Sequence, residues 1–194
     1  MLRTFKFILA TLFLVLTLSA HALEVKGVKV DETAQVSGNA LVLNGAGIRT
    51  KMVFKVYVGA LYLTQKQTDA NAVISDTGAK RVSLHFLRQL NTDAVLIGMN
   101  EGFSDNNDAA QMAAIEPQMK AFRQIMTAEK EVKEGDLIVL DLSSAGTQVN
   151  VNGKMLGKIE GAAFNQALLR VWLGAKPVDA DLKQAMLGKA MTGK

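Results

Sequence analysis

The densest apolar run of the chain extends from Phe7 to Ala20 without a charged residue, and beyond it hydrophobic positions fall into short alternating or helical patterns. Val25, Val28 and Val30, then Ala40 to Leu43, are broken by Gly27, Gly38 and Asn44-Gly45, which predicts short paired strands at the start. From Met52 to Leu63 the sequence is too rich in Val, Phe and Tyr for a helix and reads as a long central strand. A short helix capped by Thr68 or Asp69 and running through Ile74 leads to a second core strand, Arg81 to Leu87.

Helical spacing then takes over. Asn91 as N-cap and Asp93 in the first turn predict a helix from Thr92 to Phe103, weakened in its middle by Gly98. Met112, Ile115, Met119, Phe122 and Met126 recur three or four apart, marking one face of a helix from Asp108 to about Lys130 that Pro117 kinks or splits. Leu137 to Leu142 and Thr147 to Ile159 return to strand, with Asn152-Gly153 as a type I′ hairpin turn. Ala162 to Leu173 is helical and stops at Gly174; Asp179 to Leu187 forms a last helix. This order predicts an α+β fold, an antiparallel sheet covered on one face by helices.

Arg3 and Lys6 precede the first apolar run, and Ala20-His21-Ala22 closes it with a small-x-small pattern, the signature of a secretory signal cleaved after Ala22. The run is shorter than the roughly 18 to 20 residues that span a bilayer. The expectation is a periplasmic protein whose residues 23–194 form a single domain, with no stable membrane insertion after cleavage.

Composition narrows the chemistry. Losing Arg3 and Lys6 with the signal lowers the net charge from +4 to +2, and the remaining Lys and Arg are scattered, so no nucleic-acid partner is expected. Cysteine is absent, which excludes disulfides, thiol nucleophiles and thiolate metal sites. Loss of His21 leaves His85 alone, in the middle of an apolar strand, as a structural residue, a haem ligand or a proton donor. Asp105 to Asp108 lacks the glycine and distant glutamate of an EF-hand and is read as helix capping. Gly45-Ala46-Gly47 has Thr at position 50 and a strand after it, so the dinucleotide motif fails. No cofactor and no metal site are expected.

The strand after that glycine turn carries the remaining candidates. Alternation puts Met52, Phe54, Val56, Val58 and Ala60 on a core face and Val53, Lys55, Tyr57, Gly59 and Leu61 on the other. Arg49 shares the parity of Lys55 and Tyr57 if the chain stays extended, so a guanidinium and a phenol could enter one cavity and hold a carboxylate with parallel hydrogen bonds. Arg49 paired with a surface acid, with Tyr57 as sheet cover, is the alternative.

Leu43-Asn44-Gly45-Ala46-Gly47-Ile48-Arg49, followed by Phe54 to Leu63, resembles the chalcone isomerase-like family, its exported bacterial branch in particular. Weaker likeness extends through the helix at Thr92 to Phe103 and the segment from Gly161 to Gly174. The resemblance implies an open-faced β-sandwich, a large antiparallel sheet covered by a layer of helices with a ligand cleft between them. It also implies that Arg49 matches the arginine that assists ring closure in the plant enzymes. Tyr57 falls where those enzymes have threonine, and Asn91 and Gly98 fall where they have an active-site tyrosine and asparagine, so the preorganised donors of an isomerase do not carry over. Non-enzymatic members bind fatty acids, the arginine and a tyrosine receiving the carboxylate. The expectation is therefore a non-catalytic binder of a small hydrophobic acid, with Arg49, Tyr57 and Lys55 as ligand residues and the Met112, Met119 and Met126 face as either an adaptable cleft wall or plain core. The alternatives are an isomerase or intramolecular lyase acting on a phenolic substrate, and a haem binder of the same fold.

Overall fold

The computed structural model describes residues 22–189. Apart from Ala22, the expected secretory signal lies outside the described residues, as do residues 190–194 of the expected frayed tail.

Strands β1 (Ala22–Val25) and β2 (Val28–Asp31) form a separate hairpin, followed by β3 (Thr33–Val36), the long β4 (Asn39–Lys51) and β5 (Phe54–Leu63). Helix α1 (Ala70–Ser75) starts on an Asp69 cap, and β6 (Lys80–Phe86) follows. A two-residue strand β7 (Leu90–Asn91) leads into α2 (Thr92–Asn106), where the Asn91 side chain accepts from the Asp93 amide as the sequence predicts. Pro117 splits the next helical stretch into α3 (Ala109–Ala114) and α4 (Glu116–Met126). Asp108 caps α3 in a reciprocal box with Gln111, which accounts for the acidic-polar run before it. Strands β8 (Glu131–Val132), β9 (Leu137–Ser143), β10 (Gly146–Val151) and β11 (Lys154–Ile159) precede α5 (Ala162–Leu173) and α6 (Ala180–Met186).

Seven of these strands make one antiparallel sheet in the order β11-β10-β9-β6-β5-β4-β3. The helices cover one face, and the main core lies between: Leu61, Val82, Leu84 and Leu140 from the sheet meet Phe103, Phe122, Phe164 and Trp172 from the helices. The three phenylalanine rings lie 5.8 to 6.5 Å apart. Fold class and layering are those of an α+β, open-faced sandwich. The other face is not bare, since the β1–β2 hairpin packs Val28 and Val30 over Val58, Ala60 and Tyr62. Consequently β5 is buried on both faces beyond Lys55.

Two expectations need correction. Gly45-Ala46-Gly47 is not a turn but the middle of β4, and its glycines serve helix packing. A Cβ on Gly45 would lie 2.0 Å from the Ala185 carbonyl oxygen, and one on Gly47 would lie 2.5 Å from the Ala185 Cβ, so only hydrogen at both positions lets α6 lie on the strand. Met52 and Phe54 are not core: the chain reverses at Met52-Val53, which carries both beyond the part of the sheet that the helices cover.

Two bulges shape β4 and β5. Leu43 pairs with Tyr62 and Gly45 with Leu61, which leaves Asn44 as the extra residue; Arg49 pairs with Tyr57 and Thr50 with Lys55, which leaves Val56. Asn44 is buried and fully used: its amide donates to the carbonyls of Gln67 (2.9 Å) and Met186 (2.7 Å), and its oxygen accepts from the Gln67 amide. Asp179 links the second bulge to the last helix, accepting from the amides of Thr50 and Leu182. Among the described residues no helix is long and apolar enough to cross a membrane.

Candidate functional site

The chain does not stay extended between Arg49 and Tyr57, yet the two meet. They are direct cross-strand partners on β4 and β5 and therefore share the helix-facing side of the sheet. The Arg49 guanidinium carbon lies 5.5 Å from the centre of the Tyr57 ring, a cation–π arrangement. Tyr57 also contacts Phe86 at 5.6 Å between ring centres.

The Tyr57 hydroxyl points inward, toward α5, where it accepts a 2.9 Å hydrogen bond from Trp172 Nε1. Burial, opposed by the Arg49 charge, pushes the Tyr57 phenol up to about 12. It stays protonated at any physiological pH. Tyr57 thus gives the cavity its ring, and its hydroxyl faces Trp172, a partner that sequence reasoning missed because nothing in the spacing links positions 57 and 172.

Above this pair lies a cavity of about 190 Å³ between the β4–β5 hairpin and α2. Val56, Phe86, Leu90 and Val95 give it apolar walls, and Gly98 faces Arg49 across it. A Cβ on Gly98 would lie 3.6 Å from Arg49 Nη2, so any longer side chain there would occupy the space over the guanidinium. Arg88 and Lys51 also line the cavity, and no carboxylate does. The Arg88 guanidinium carbon sits 4.6 Å from the Phe54 ring centre at the mouth.

Arg49 itself is uncommitted. Its Nε is buried with no hydrogen-bond partner among the described residues, and none of the ion pairs formed among them involves it. A buried guanidinium donor without an acceptor is costly, and an anion placed beside it would satisfy the fork. Of the three residues expected at the site, Arg49 and Tyr57 come together. Lys55 does not join them: it is exposed beside the bulge and does not line the cavity. Lys51, Arg88 and Gly98 complete the lining; Arg88 lies just past the end of β6, where strand parity no longer predicts orientation.

The other candidates fall elsewhere. His85 lies on the opposite face of the sheet, near Tyr62, Arg81 and Ser83, away from Arg49. Met112 and Met119 pack at the edge of the main core and Met126 is buried in it, and none of the three lines the Arg49 cavity, so the methionine face is core rather than cleft wall. Asn91 is spent as the α2 cap and exposed. A larger groove of about 690 Å³ runs past β8 and the β10–β11 hairpin, but Glu129, Lys130, Glu131, Lys133, Asp136 and Lys154 line it with both signs of charge. It is a solvated surface without an unpaired buried group, and the smaller Arg49 cavity carries the chemistry.

Comparison with known proteins agrees with this architecture. A crystal structure of an Arabidopsis thaliana fatty-acid binding protein superposes with a TM-score of 0.67 at 14% sequence identity, covering 86% of this chain and 96% of the other. No curated protein sequence matches. A family model described as chalcone isomerase-like matches residues 22–188, from the first strand to two residues past α6, and by that match the chain belongs to the chalcone isomerase-like family.

Proposed function

We propose that this protein is a periplasmic, non-catalytic binder of a small hydrophobic carboxylate such as a fatty acid, with Arg49 as the anchor. The observation that carries this reading is the unpaired Arg49 guanidinium in an apolar-walled cavity whose charged lining residues are all cations. The carboxylate takes the Arg49 fork, and the Tyr57 ring forms the floor beneath it. The cavity is smaller than the roughly 300 to 1,000 Å³ of most small-molecule pockets. It encloses the head group and first methylenes, and a longer tail leaves through the mouth past Phe54.

Binding rather than turnover fits the groups present. The one phenol in the cavity wall has its hydroxyl bonded to Trp172 and holds its proton until about pH 12, and Gly98 offers no donor for an enolate-like transition state. The fatty-acid binding protein with the same fold supports the ligand class.

Native mass spectrometry of detergent-free protein, before and after lipid extraction and with added decanoate, tests the reading. One acid per chain is expected, and its loss in Arg49→Ala. Retention of the same acid at the same affinity by Arg49→Ala would overturn the anchor. Export is tested separately, by following cleavage after Ala22 in fractionated cells.

A further inference from the structure

The hairpin that joins β4 and β5 ends in Met52, Val53 and Phe54, which are 88%, 82% and 53% exposed. Three other hairpins turn on Lys26-Gly27, Ser37-Gly38 and Asn152-Gly153, each with glycine at positive φ. Here Met52 itself takes φ 58° and valine follows, so apolar bulk sits where the backbone favours a small or polar residue. No packing compensates, because none of the three residues joins either core cluster. Ile97 on α2 adds a fourth exposed apolar side chain. It lies one turn from Glu101, whose carboxylate reaches within 3.9 Å of Lys51 Nζ, so it borders the same tip.

Cations ring this apolar tip. Lys51 and Lys55 flank it along the chain, and Arg88 stacks on Phe54. Between Glu32 and Asp69 the sequence contains no acidic residue. Of the carboxylates near the hairpin, Glu101 is paired loosely with Lys51 and Asp179 accepts two backbone amides. Exposed apolar side chains inside a basic ring match the boundary of an anionic bilayer, where the former enter the acyl region and the latter meet the head groups. A second copy of the chain would set like charges against each other. Met52, Phe54 and Arg88 also line the mouth of the Arg49 cavity, so a surface laid on the tip meets its opening.

We propose that the Met52-Val53-Phe54 tip, with Ile97 beside it, docks this protein onto anionic lipid membranes and presents the cavity mouth to the bilayer. The docking goes beyond the ligand reading and rests on it only for its purpose, the exchange of an acid with the membrane.

Co-sedimentation with vesicles of phosphatidylethanolamine and phosphatidylglycerol, against vesicles of phosphatidylcholine alone, tests it. Wild type is expected to bind the anionic vesicles at least about tenfold more tightly, the preference falling with salt. Val53→Ser combined with Ile97→Ser should abolish sedimentation yet keep decanoate affinity, since neither residue lines the cavity. Lys51→Glu with Lys55→Glu should lose the preference for anionic lipid. Equal sedimentation of wild type and the Val53/Ile97 variant, or no binding of wild type to either vesicle, overturns the docking; so does a dimer that the same variant dissociates while vesicles go unbound. Vesicle binding by a protein that takes up no decanoate refutes the ligand reading alone.

Discussion

Arg49 and Tyr57 stand directly opposite each other on neighbouring strands, the guanidinium 5.5 Å from the ring centre while the phenol hydroxyl turns away to Trp172. The pair divides two tasks between one residue each: Arg49 keeps an open donor fork, and Tyr57 fixes the surface beneath it. That division shapes the following predictions.

Tyr57→Phe should keep acid binding within a few-fold but lower stability by about 1–3 kcal/mol, because Trp172 Nε1 loses its buried acceptor. The pH dependence has a definite sign. The phenol is raised from 10.0 to about 12 in the folded state, so both states hold the proton below pH 10 and the effect is fully present there. Between pH 10 and about 12 the unfolded chain releases the proton first, and stability falls as pH rises, by up to about 1.4 kcal/mol per unit. Denaturant titrations of wild type and Tyr57→Phe across that window should show the alkaline slope flattened in the variant.

Substitutions at Gly98 should separate stability from binding. Gly98→Ala removes a mid-helix glycine, and its Cβ meets Arg49 at an ordinary 3.6 Å, so the melting temperature should rise by the equivalent of about 0.5–1 kcal/mol. Gly98→Leu should instead fill the space over the guanidinium and weaken decanoate binding at least tenfold in calorimetry without unfolding the protein. Unchanged affinity in Gly98→Leu would place the acid elsewhere.

Gly45→Ala should be among the costliest small substitutions in the chain. The new methyl would lie 2.0 Å from the Ala185 carbonyl oxygen, far inside van der Waals contact, and α6 must shift off β4 to admit it. Overpacking of this kind costs about 1–3 kcal/mol, here with the Asn44 bond to Met186 strained as well. Thermal unfolding reads the loss; a variant as stable as wild type would mean that α6 docks less tightly than described.

A series of saturated acids should bind with affinity rising by about 0.8 kcal/mol per methylene while the chain still fills the cavity. Beyond that length the increments should shrink, as added carbons run over the partly exposed Phe54 instead of entering a closed pocket. Calorimetry from hexanoate to palmitate would show the break. A uniform increment to the longest acid would require a deeper pocket than the one between β5 and α2.

Much of this was legible in the sequence, and the failures have physical causes. Caps and turns announced themselves locally: Asn91, Asp69 of the two candidates before α1, Pro117 and Asn152-Gly153 all act where their chemistry predicts. Arg49 and Tyr57 were identified together, although through an extended chain rather than the hairpin that pairs them. The Met52-Val53 reversal was hidden because it lacks glycine, proline and asparagine, and so reads as more strand. Gly45 and Gly47 looked like a turn because their real purpose, the approach of a helix more than a hundred residues later, leaves no local trace. Arg88 and Trp172 entered the picture only through tertiary contact, and Gly98, marked by the resemblance as a lost donor, shows its place over Arg49 only in the fold.

The tie between Asp179 and the Thr50 amide, beside Arg49, has a consequence for biosynthesis. Strands β4 and β5 leave the ribosome early and carry the Arg49–Tyr57 pairing with them, but the Asp179 acceptor for the Thr50 amide arrives with the last helix, 129 positions later. The end of β4 beside the proposed anion site therefore gains its last tie only when synthesis is nearly finished. For a chain exported in extended form, as proposed, that tie closes only after the C-terminal helix has emerged on the far side of the membrane.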